Sequence, residues 1–127
     1  MENYIVNGNE LSPNICFDKE NNLFSISGRS IPENAIAVYA PIIEWWQQYI
    51  QNPNPETTIE LNFEYINSSS MKQVARLMAM LDTIQPGKSA VTVRWHYNTD
   101  DTDSKMQAER LAKMVKFPFK LIADASK

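Results

Sequence analysis

The hydrophobic pattern in the middle of this chain changes its period within a few residues. From Ile59 to Tyr65 every second residue is apolar, which is the period of a β-strand with one buried face. Directly after three serines, apolar residues recur every three or four positions, as in an amphipathic helix: Met71, Val74, Ala75, Met78, Leu81 and Ile84. A strand that leads into a helix and then into another strand predicts a crossover between parallel strands.

The same succession of patterns continues on both sides of this segment. Two short apolar segments, Asn14 to Asp18 and Leu23 to Gly28, predict a hairpin. After the central helix we predict a strand over 91–97, a helix over about 104–115 and an edge strand over 117–122, where a proline is tolerated. The predicted fold is therefore a single α/β domain over residues 1–127, with a mixed sheet and the order β-β-α-β-α-β-α-β. Residues 1–12 are polar, and we expect them to form a loosely ordered lead-in.

The segment "GRSIPENAIAVYAPIIEWWQQYIQN" predicts the first helix. Ser30 with Glu33 three residues later fits a capping box, and Pro32 fits the first helical turn, where no hydrogen bond is lost. Two adjacent apolar stripes predict a helix that lies flat on a sheet and runs to about Asn52, with Pro41 kinking or dividing it.

Composition excludes several classes of protein. No apolar run approaches the ~18 residues that span a bilayer, and the first residues lack the features of a signal peptide, so no membrane insertion is expected. Cys16 is the only cysteine, which rules out an internal disulfide and favours a cytoplasmic location. A pI of about 5.1 without a basic arm argues against nucleic acid as a partner. With three glycines the chain lacks a Gly-rich phosphate loop, and no cofactor is predicted.

His96 and the acidic loop after it are the residues that an enzyme could use. His96 is the only histidine, and a structural or surface role is favoured over catalysis with Asp100–Asp103. From Asn98 to Glu109 the spacing resembles a calcium loop, but Asp103 stands where the sharp turn needs glycine. Aspartates that stabilise a helix N-terminus account for the same residues, and no metal site is predicted.

The three serines between strand and helix exceed what a helix start requires. Ser70, with a glutamine three residues on, fits a capping box, and Asn67 is a second candidate cap. Ser68 and Ser69 then lie at the tip between strand and helix. A phosphate there would face free backbone N–H groups and the positive end of the helix dipole, with Lys72 one turn on. The residues alone leave both a polar turn and a phosphoacceptor open.

Three blocks of the sequence carry a family resemblance. "ISGRSIPENAIAVYAPIIEWWQQYI" resembles the "GRSYPEN…FY.P…WL..Y" segment of the SiaC-type regulatory phosphoprotein family, formerly a domain of unknown function. "LNFEYINSSSMK" is similar to that family's "L.Y.NTSSSK", and "VRWHYNTDDTD" to its "W.YDEDDED". The blocks occur in family order, and the resemblance extends from about Leu11 to Ile122.

This resemblance implies a fold like the STAS domain of anti-sigma-factor antagonists, with helices mainly on one face of the sheet. It implies a non-enzymatic partner switch that a Ser/Thr kinase phosphorylates and a PP2C-type phosphatase dephosphorylates. The unphosphorylated form would bind and regulate a target, a diguanylate cyclase in biofilm signalling. An anti-sigma-factor-antagonist-like switch with another protein target is the alternative.

Carried over by position, the family's phosphoacceptor falls on Ser68, where a serine replaces the usual threonine. Its matching surroundings are Asn67, Ser69, Ser70 and Lys72. Departures from the family pattern stand at Ile66, Met71 and Asn98-Thr99, and the last weakens any inference that the acidic loop contacts the same partner. The first block is implied to serve helix capping and local folding, through Gly28, Arg29, Ser30, Pro32, Glu33 and Asn34.

Overall fold

A computed structural model of the protein describes residues 1–84 and 87–124. Its strands are β1 (Tyr4–Val6), β2 (Asn14–Asp18), β3 (Leu23–Ser30), β4 (Glu56–Ile66), β5 (Ala90–Asn98) and β6 (Phe119–Asp124). Its helices are α1 (Ala35–Tyr49), α2 (Ser68–Leu81) and α3 (Thr102–Met114). The strands form one six-stranded sheet in which spatial order equals chain order.

The sheet is mixed, and the helices cover one of its faces. Strands β1 to β3 are antiparallel neighbours, whereas β3 to β6 are parallel and are joined by α1, α2 and α3 in turn. Because the three crossovers advance in the same direction with the same handedness, their helices lie on the same side. Along β4 the residues from Thr57 to Phe63 alternate between buried and more exposed, so the opposite face remains open. The predicted mixed sheet with helices on one face is confirmed.

The start of the chain differs from expectation. Residues 1–12, predicted to be a loosely ordered lead-in, contain the edge strand β1, which pairs with β2. The Tyr4 ring stacks on Phe17 at 6.1 Å between centroids, and Trp45 Nε1 donates a hydrogen bond of 2.8 Å to the carbonyl of Glu2. These contacts are long-range, so a short polar segment gives no local signal of them.

Aromatic side chains of α1 pack on the antiparallel side of the sheet. Trp46 and Tyr49 are fully buried, and the Trp46 ring lies 5.3 Å from Phe17 and 5.2 Å from Phe24. The helix ends at Tyr49 rather than at Asn52, and Pro41 lies inside it without dividing it. Because α1 presents its large rings to the sheet, this packing accounts for the two apolar stripes of its sequence.

The start of α1 corrects the predicted capping box. Asn34 is the N-cap, and its Oδ1 accepts a hydrogen bond of 3.1 Å from the Ala37 N–H. Ser30 is instead the last residue of β3, and its carbonyl accepts a bond of 3.0 Å from the Asn67 N–H. Since Ser30 lies five positions before the first residue of α1, it cannot cap this helix, and Pro32 precedes the helix rather than occupying its first turn.

Candidate functional site at the start of α2

The predicted phosphoacceptor lies at the edge of the sheet where the parallel strands end. The connections β3–α1 and β4–α2 are adjacent there, because Asn67 Nδ2 donates a bond of 3.4 Å to the Pro32 carbonyl. Binding sites of open α/β sheets are commonly built at this carboxyl edge, from the loops that follow the strands. The structure therefore brings the first and second sequence blocks together.

Asn67 forms the cap of α2. Its backbone is extended (φ −84°, ψ 169°), and its Oδ1 accepts a hydrogen bond of 2.9 Å from the Ser70 N–H. Ser70 already stands at the third helical position, so the predicted capping box with Ser70 as the cap is wrong. The second candidate, Asn67, is confirmed, because it alone has the extended backbone that a cap requires.

The three serines have different environments. Ser68 and Ser69 are exposed, whereas Ser70 is fully buried. The Ser70 Oγ accepts a hydrogen bond of 2.9 Å from Ser30 Oγ, which in turn lies 2.7 Å from the Tyr39 hydroxyl. Of the three hydroxyls, those of Ser68 and Ser69 are open to a kinase, and that of Ser70 is closed.

The buried hydroxyls of Tyr39, Ser30 and Ser70 form what we call the hydroxyl chain. It joins α1, the end of β3 and the first turn of α2, and all of its members are fully buried. Burial raises the pKa of Tyr39 above its ordinary value, while the bonds to Ser30 and Ser70 act in the opposite direction. Tyr39 is therefore a neutral phenol at physiological pH. Sequence reasoning missed its role, since the tyrosine stands in an otherwise apolar stripe.

The first turn of α2 favours an anion. The Asn67 side chain accepts its hydrogen bond from the Ser70 N–H. The N–H groups of Ser68 and Ser69 therefore have no acceptor among the described residues. Unpaired N–H groups and the positive end of the helix dipole both favour negative charge here. Lys72 is exposed one turn further along. A phosphate on Ser68 would meet favourable partners on its own helix.

The acidic loop lies on the other side of this edge. A cleft of about 220 Å³ separates the end of β4 from the start of α3 and is lined by Phe63, Glu64, Tyr65, Ile66, Asp101, Asp103, Ser104 and Gln107. Asp101 caps α3, and its Oδ1 accepts a bond of 3.0 Å from the Ser104 N–H. The helix begins at Thr102, inside the span that a calcium loop would need, and no cluster of three potential ligand residues occurs within 1–84 and 87–124.

Exposed apolar side chains lie around the same edge. Ile36 in the first turn of α1 is 66% exposed and Tyr65 is 56% exposed. Leu11 is also exposed, and its carbonyl accepts a bond of 2.8 Å from the Ile31 N–H, which places it beside the β3–α1 connection. The alternating pattern had assigned Tyr65 to the buried face. That assignment is wrong, because the register shifts opposite Gly28 and Arg29 and interrupts the alternation.

Gly28 and Arg29 shape this register shift. Gly28 has φ +91°, and a Cβ at this position would lie 3.1 Å from Asn14 Nδ2, so the site favours glycine. The Arg29 guanidinium lies 4.9 Å from the centre of the Tyr65 ring, within range of a cation–π interaction. Glu33 is exposed between the strand and α1.

His96 lies on the open face of the sheet. Its Nε2 is 2.7 Å from Glu60 Oε1, and its Nδ1 is 3.4 Å from Asp124 Oδ2. These contacts link β5 to both neighbouring strands and account for a structural histidine. The structure does not pair His96 with Asp100–Asp103, which removes the geometry on which the enzyme alternative relied.

Comparisons with known proteins identify a family that matches nearly the whole chain. The model of the SiaC family, described as regulatory phosphoproteins, matches residues 6–124. An uncharacterised protein of Pseudomonas aeruginosa strain UCBPP-PA14 is 26% identical over 123 residues, which cover 97% of this chain and 98% of that protein.

Solved structures match the fold over nearly the whole chain. SiaC of Pseudomonas aeruginosa is similar with a TM-score of 0.87 and 26% identity, over 98% of this chain and 100% of that one. SiaC in a complex in which it is the activator of the diguanylate cyclase SiaD, also from Pseudomonas aeruginosa, matches with a TM-score of 0.87 and 26% identity, over 95% and 99%. In the described part of this chain, no helix has the length and apolarity to cross a membrane.

Proposed function

This chain belongs to the SiaC family of regulatory phosphoproteins, and we propose that it is a non-enzymatic partner switch controlled by phosphorylation of Ser68. In this proposal a Ser/Thr kinase modifies Ser68, a PP2C-type phosphatase reverses the modification, and the unphosphorylated form binds a target protein. The proteins would meet in the cytoplasm.

The observation that carries the proposal is the contrast among adjacent hydroxyls. Ser68 is exposed at the first residue of α2, where backbone N–H groups can receive its phosphate, whereas Ser70 is held in the hydroxyl chain. A kinase requires the first arrangement, since it must surround the acceptor side chain. Ser69 is also exposed and is the rival acceptor at this position.

The target would dock on what we call the switch surface: Leu11, Ile36, Tyr65, Ser68, Ser69 and Lys72. Its apolar members are exposed and give a partner apolar area to bury, and its two serines and Lys72 are exposed as well. Phosphorylation would add a charge of about −1.5 to −2 with a strong hydration shell. Burying that charge against an apolar partner costs several kcal/mol unless arginines meet it, so the modified form would be released.

A diguanylate cyclase is the target that we propose for this chain, with a role in biofilm regulation. The support is the related SiaC, which forms a complex with the diguanylate cyclase SiaD as its activator. The similarity extends over 95% of this chain and 99% of that one. The residues at the end of β5 depart from the family pattern, so a different selectivity for the partner is expected there.

Intact-mass measurement after incubation with the cognate kinase tests the acceptor. The wild-type chain should gain one phosphate, Ser68→Ala should gain none, and Ser69→Ala should behave as the wild type. Ser70→Ala is a control for an inaccessible hydroxyl. Stoichiometric phosphorylation of Ser68→Ala would overturn the assignment, and loss in Ser69→Ala alone would move the acceptor to Ser69.

Binding to the cyclase tests separately whether a negative charge at Ser68 releases the target. Ser68→Ala should bind as tightly as the wild type, whereas Ser68→Asp should bind at least about tenfold more weakly, which corresponds to about 1.4 kcal/mol. The matched control is Gln48→Asp, which adds the same charge at an exposed position of α1 outside the switch surface and should bind as the wild type does. If Ser68 is phosphorylated but neither form binds the cyclase, the switch acts on another protein, such as an anti-sigma factor.

A further inference from the structure

The outer edge of β6 is a row of backbone groups that face away from the sheet. Among the described residues β6 pairs only with β5. The Pro118 carbonyl accepts a bond of 3.0 Å from the Val93 N–H of β5, and the Asp124 carbonyl accepts one of 3.1 Å from the Thr99 N–H just after β5. The backbone groups of the even-numbered residues of β6 therefore point toward β5. The alternation of a strand then directs the N–H and C=O groups of Phe119, Leu121 and Ala123 outward. Such a row is a template for another strand.

The side chains of β6 on the open face are charged at both ends and apolar in the middle. Lys120, Ile122 and Asp124 follow one another on this face. Lys120 stands in register beside Arg94 and makes no ion pair among the described residues. The Nε of Arg94 lies 3.2 Å from Glu60 Oε1, which makes an ion pair. The N–H of this nitrogen does not point at the carboxylate closely enough to form a hydrogen bond. The edge therefore carries a cation that lacks a carboxylate.

We propose that a second copy of this chain pairs its β6 antiparallel to this strand, with Ile122 facing the partner's Ile122 on a two-fold axis. In this register Lys120 faces the partner's Asp124, and Asp124 faces the partner's Lys120. Leu121 faces the partner's Ala123, and their outward groups exchange both backbone bonds. The Ile122 pair and the Lys–Asp pairs occupy the non-hydrogen-bonded positions, where side chains approach most closely.

Other registers are less favourable for the charges. Moving the axis to Lys120 places this lysine against the partner's Lys120, and a parallel arrangement brings the same lysines together. An axis at Leu121 leaves Lys120 opposite the partner's Ile122, without a carboxylate. An edge lysine usually opposes strand pairing. Here it selects one register, because Asp124 stands four residues further along.

The pairing is compatible with the proposed switch. Strand β5 lies between β6 and β4, so Ser68 at the end of β4 is outside the new contact. Asp124 is 50% exposed and has one contact of 3.4 Å with His96, which leaves oxygen positions for the partner's lysine. Each dimer would present two switch surfaces.

Sedimentation velocity over a range of concentrations tests the association. The wild-type chain should show a reversible monomer–dimer equilibrium. Ala123→Pro removes an outward N–H while leaving the bonds to β5 intact, and it should weaken the dimer at least tenfold. Lys120→Asp should weaken it similarly, and the exchange Lys120→Asp with Asp124→Lys should restore it. Lys88→Asp is the control for an equal change of net charge away from β6.

Disulfide cross-linking tests the register. In a Cys16→Ser background, Ile122→Cys should form a covalent dimer with oxidised glutathione, because paired residues at the axis have Cα atoms about 4.5 Å apart. Lys120→Cys in the same background should not. A chain that stays monomeric at millimolar concentration, a dimer unaffected by Ala123→Pro, or equal cross-linking of the two cysteine variants would overturn the proposal.

Discussion

Ser68 and Ser70 are the same residue type two positions apart, yet the structure gives them opposite properties. Ser68 is exposed at the first residue of α2, and Ser70 is buried with its hydroxyl bonded to Ser30. Helical geometry causes the difference, since residues two positions apart point about 200° from each other around the axis. Accessibility, and not the number of hydroxyls, therefore decides which serine can be modified.

Removing the buried hydroxyl should destabilise the protein. Ser70→Ala leaves the fully buried Ser30 hydroxyl without the acceptor of its hydrogen bond, and the expected cost is about 1–3 kcal/mol. Ser69→Ala is the matched control and should change the free energy of unfolding by less than about 0.5 kcal/mol. Urea unfolding measures both, and equal values for the two variants would contradict a structural role for the hydroxyl chain.

Tyr39 should also make stability depend on alkaline pH. Burial raises the pKa of Tyr39 in the folded state above the value of about 10 that it has when unfolded. Its contribution is therefore complete below pH 10 and is lost as the pH rises through the folded-state pKa. Tyr39→Phe should lower the free energy of unfolding at pH 7 but reduce its decline above pH 10. Burial also raises the pKa of Tyr49, so this second tyrosine should keep part of the decline in the free energy of unfolding above pH 10. An unchanged slope in Tyr39→Phe would show that Tyr39 does not ionise on unfolding.

At the scale of elements, the caps connect the sequence blocks to the site. Asn34 and Asn67 each accept a bond from the N–H three residues on, and Asn67 also contacts the Pro32 carbonyl. The residue that caps α2 therefore also holds the β3–α1 connection in place. This arrangement brings the first two blocks of the family resemblance to the same edge of the sheet.

Loss of the second cap should shift the start of α2. Asn67→Ala should cost about 1 kcal/mol in the free energy of unfolding, whereas Asn67→Asp should retain most of the stability, because its carboxylate can accept the same bond. Hydrogen exchange of the first turn of α2 should accelerate in Asn67→Ala only. If the two variants lost stability equally, the amide's contact with Pro32 would matter more than the cap.

These elements also show what the sequence can predict. Period-two alternation predicts β4 and β5, and helical spacing predicts α1 and α2, since each pattern reports a locally repeated choice between core and solvent. Short apolar segments predict β2 and β3, while α3 and β6 are predicted without a periodic pattern. The cap of α2 was visible as one of two candidates. By contrast, β1, the burial of Ser30 and the exposure of Tyr65 depend on pairing between residues distant in the chain. No local pattern reports such contacts. The register shift at Gly28 and Arg29 interrupts the alternation of buried and exposed residues along β4, so the period-two pattern of the sequence places Tyr65 on the wrong face.

At the scale of the whole molecule, the hydrophobic core and the switch surface occupy separate regions. The core lies between the helices and one sheet face, with its largest rings at the α1 end. Ser68 lies at the sheet edge and takes no part in that core. A change of charge at Ser68 is therefore expected to leave the core packing unchanged. A switch that acts by binding and releasing a partner requires this property.

Phosphorylation of Ser68 should accordingly leave the fold stable. A dianion at the start of α2 interacts favourably with the helix dipole, by about 0.3–1 kcal/mol per charge at low ionic strength, and Lys72 adds to this. The phosphorylated chain should be as stable as the unmodified chain or up to about 1 kcal/mol more stable in low salt, and this gain should shrink in high salt because exposed charges are screened. Thermal unfolding of both forms measures the difference, with Lys72→Ala expected to reduce the gain. Destabilisation by more than about 1 kcal/mol would mean that the phosphate acts by disrupting the fold, and release of the target would then follow from unfolding of α2 rather than from charge at the interface.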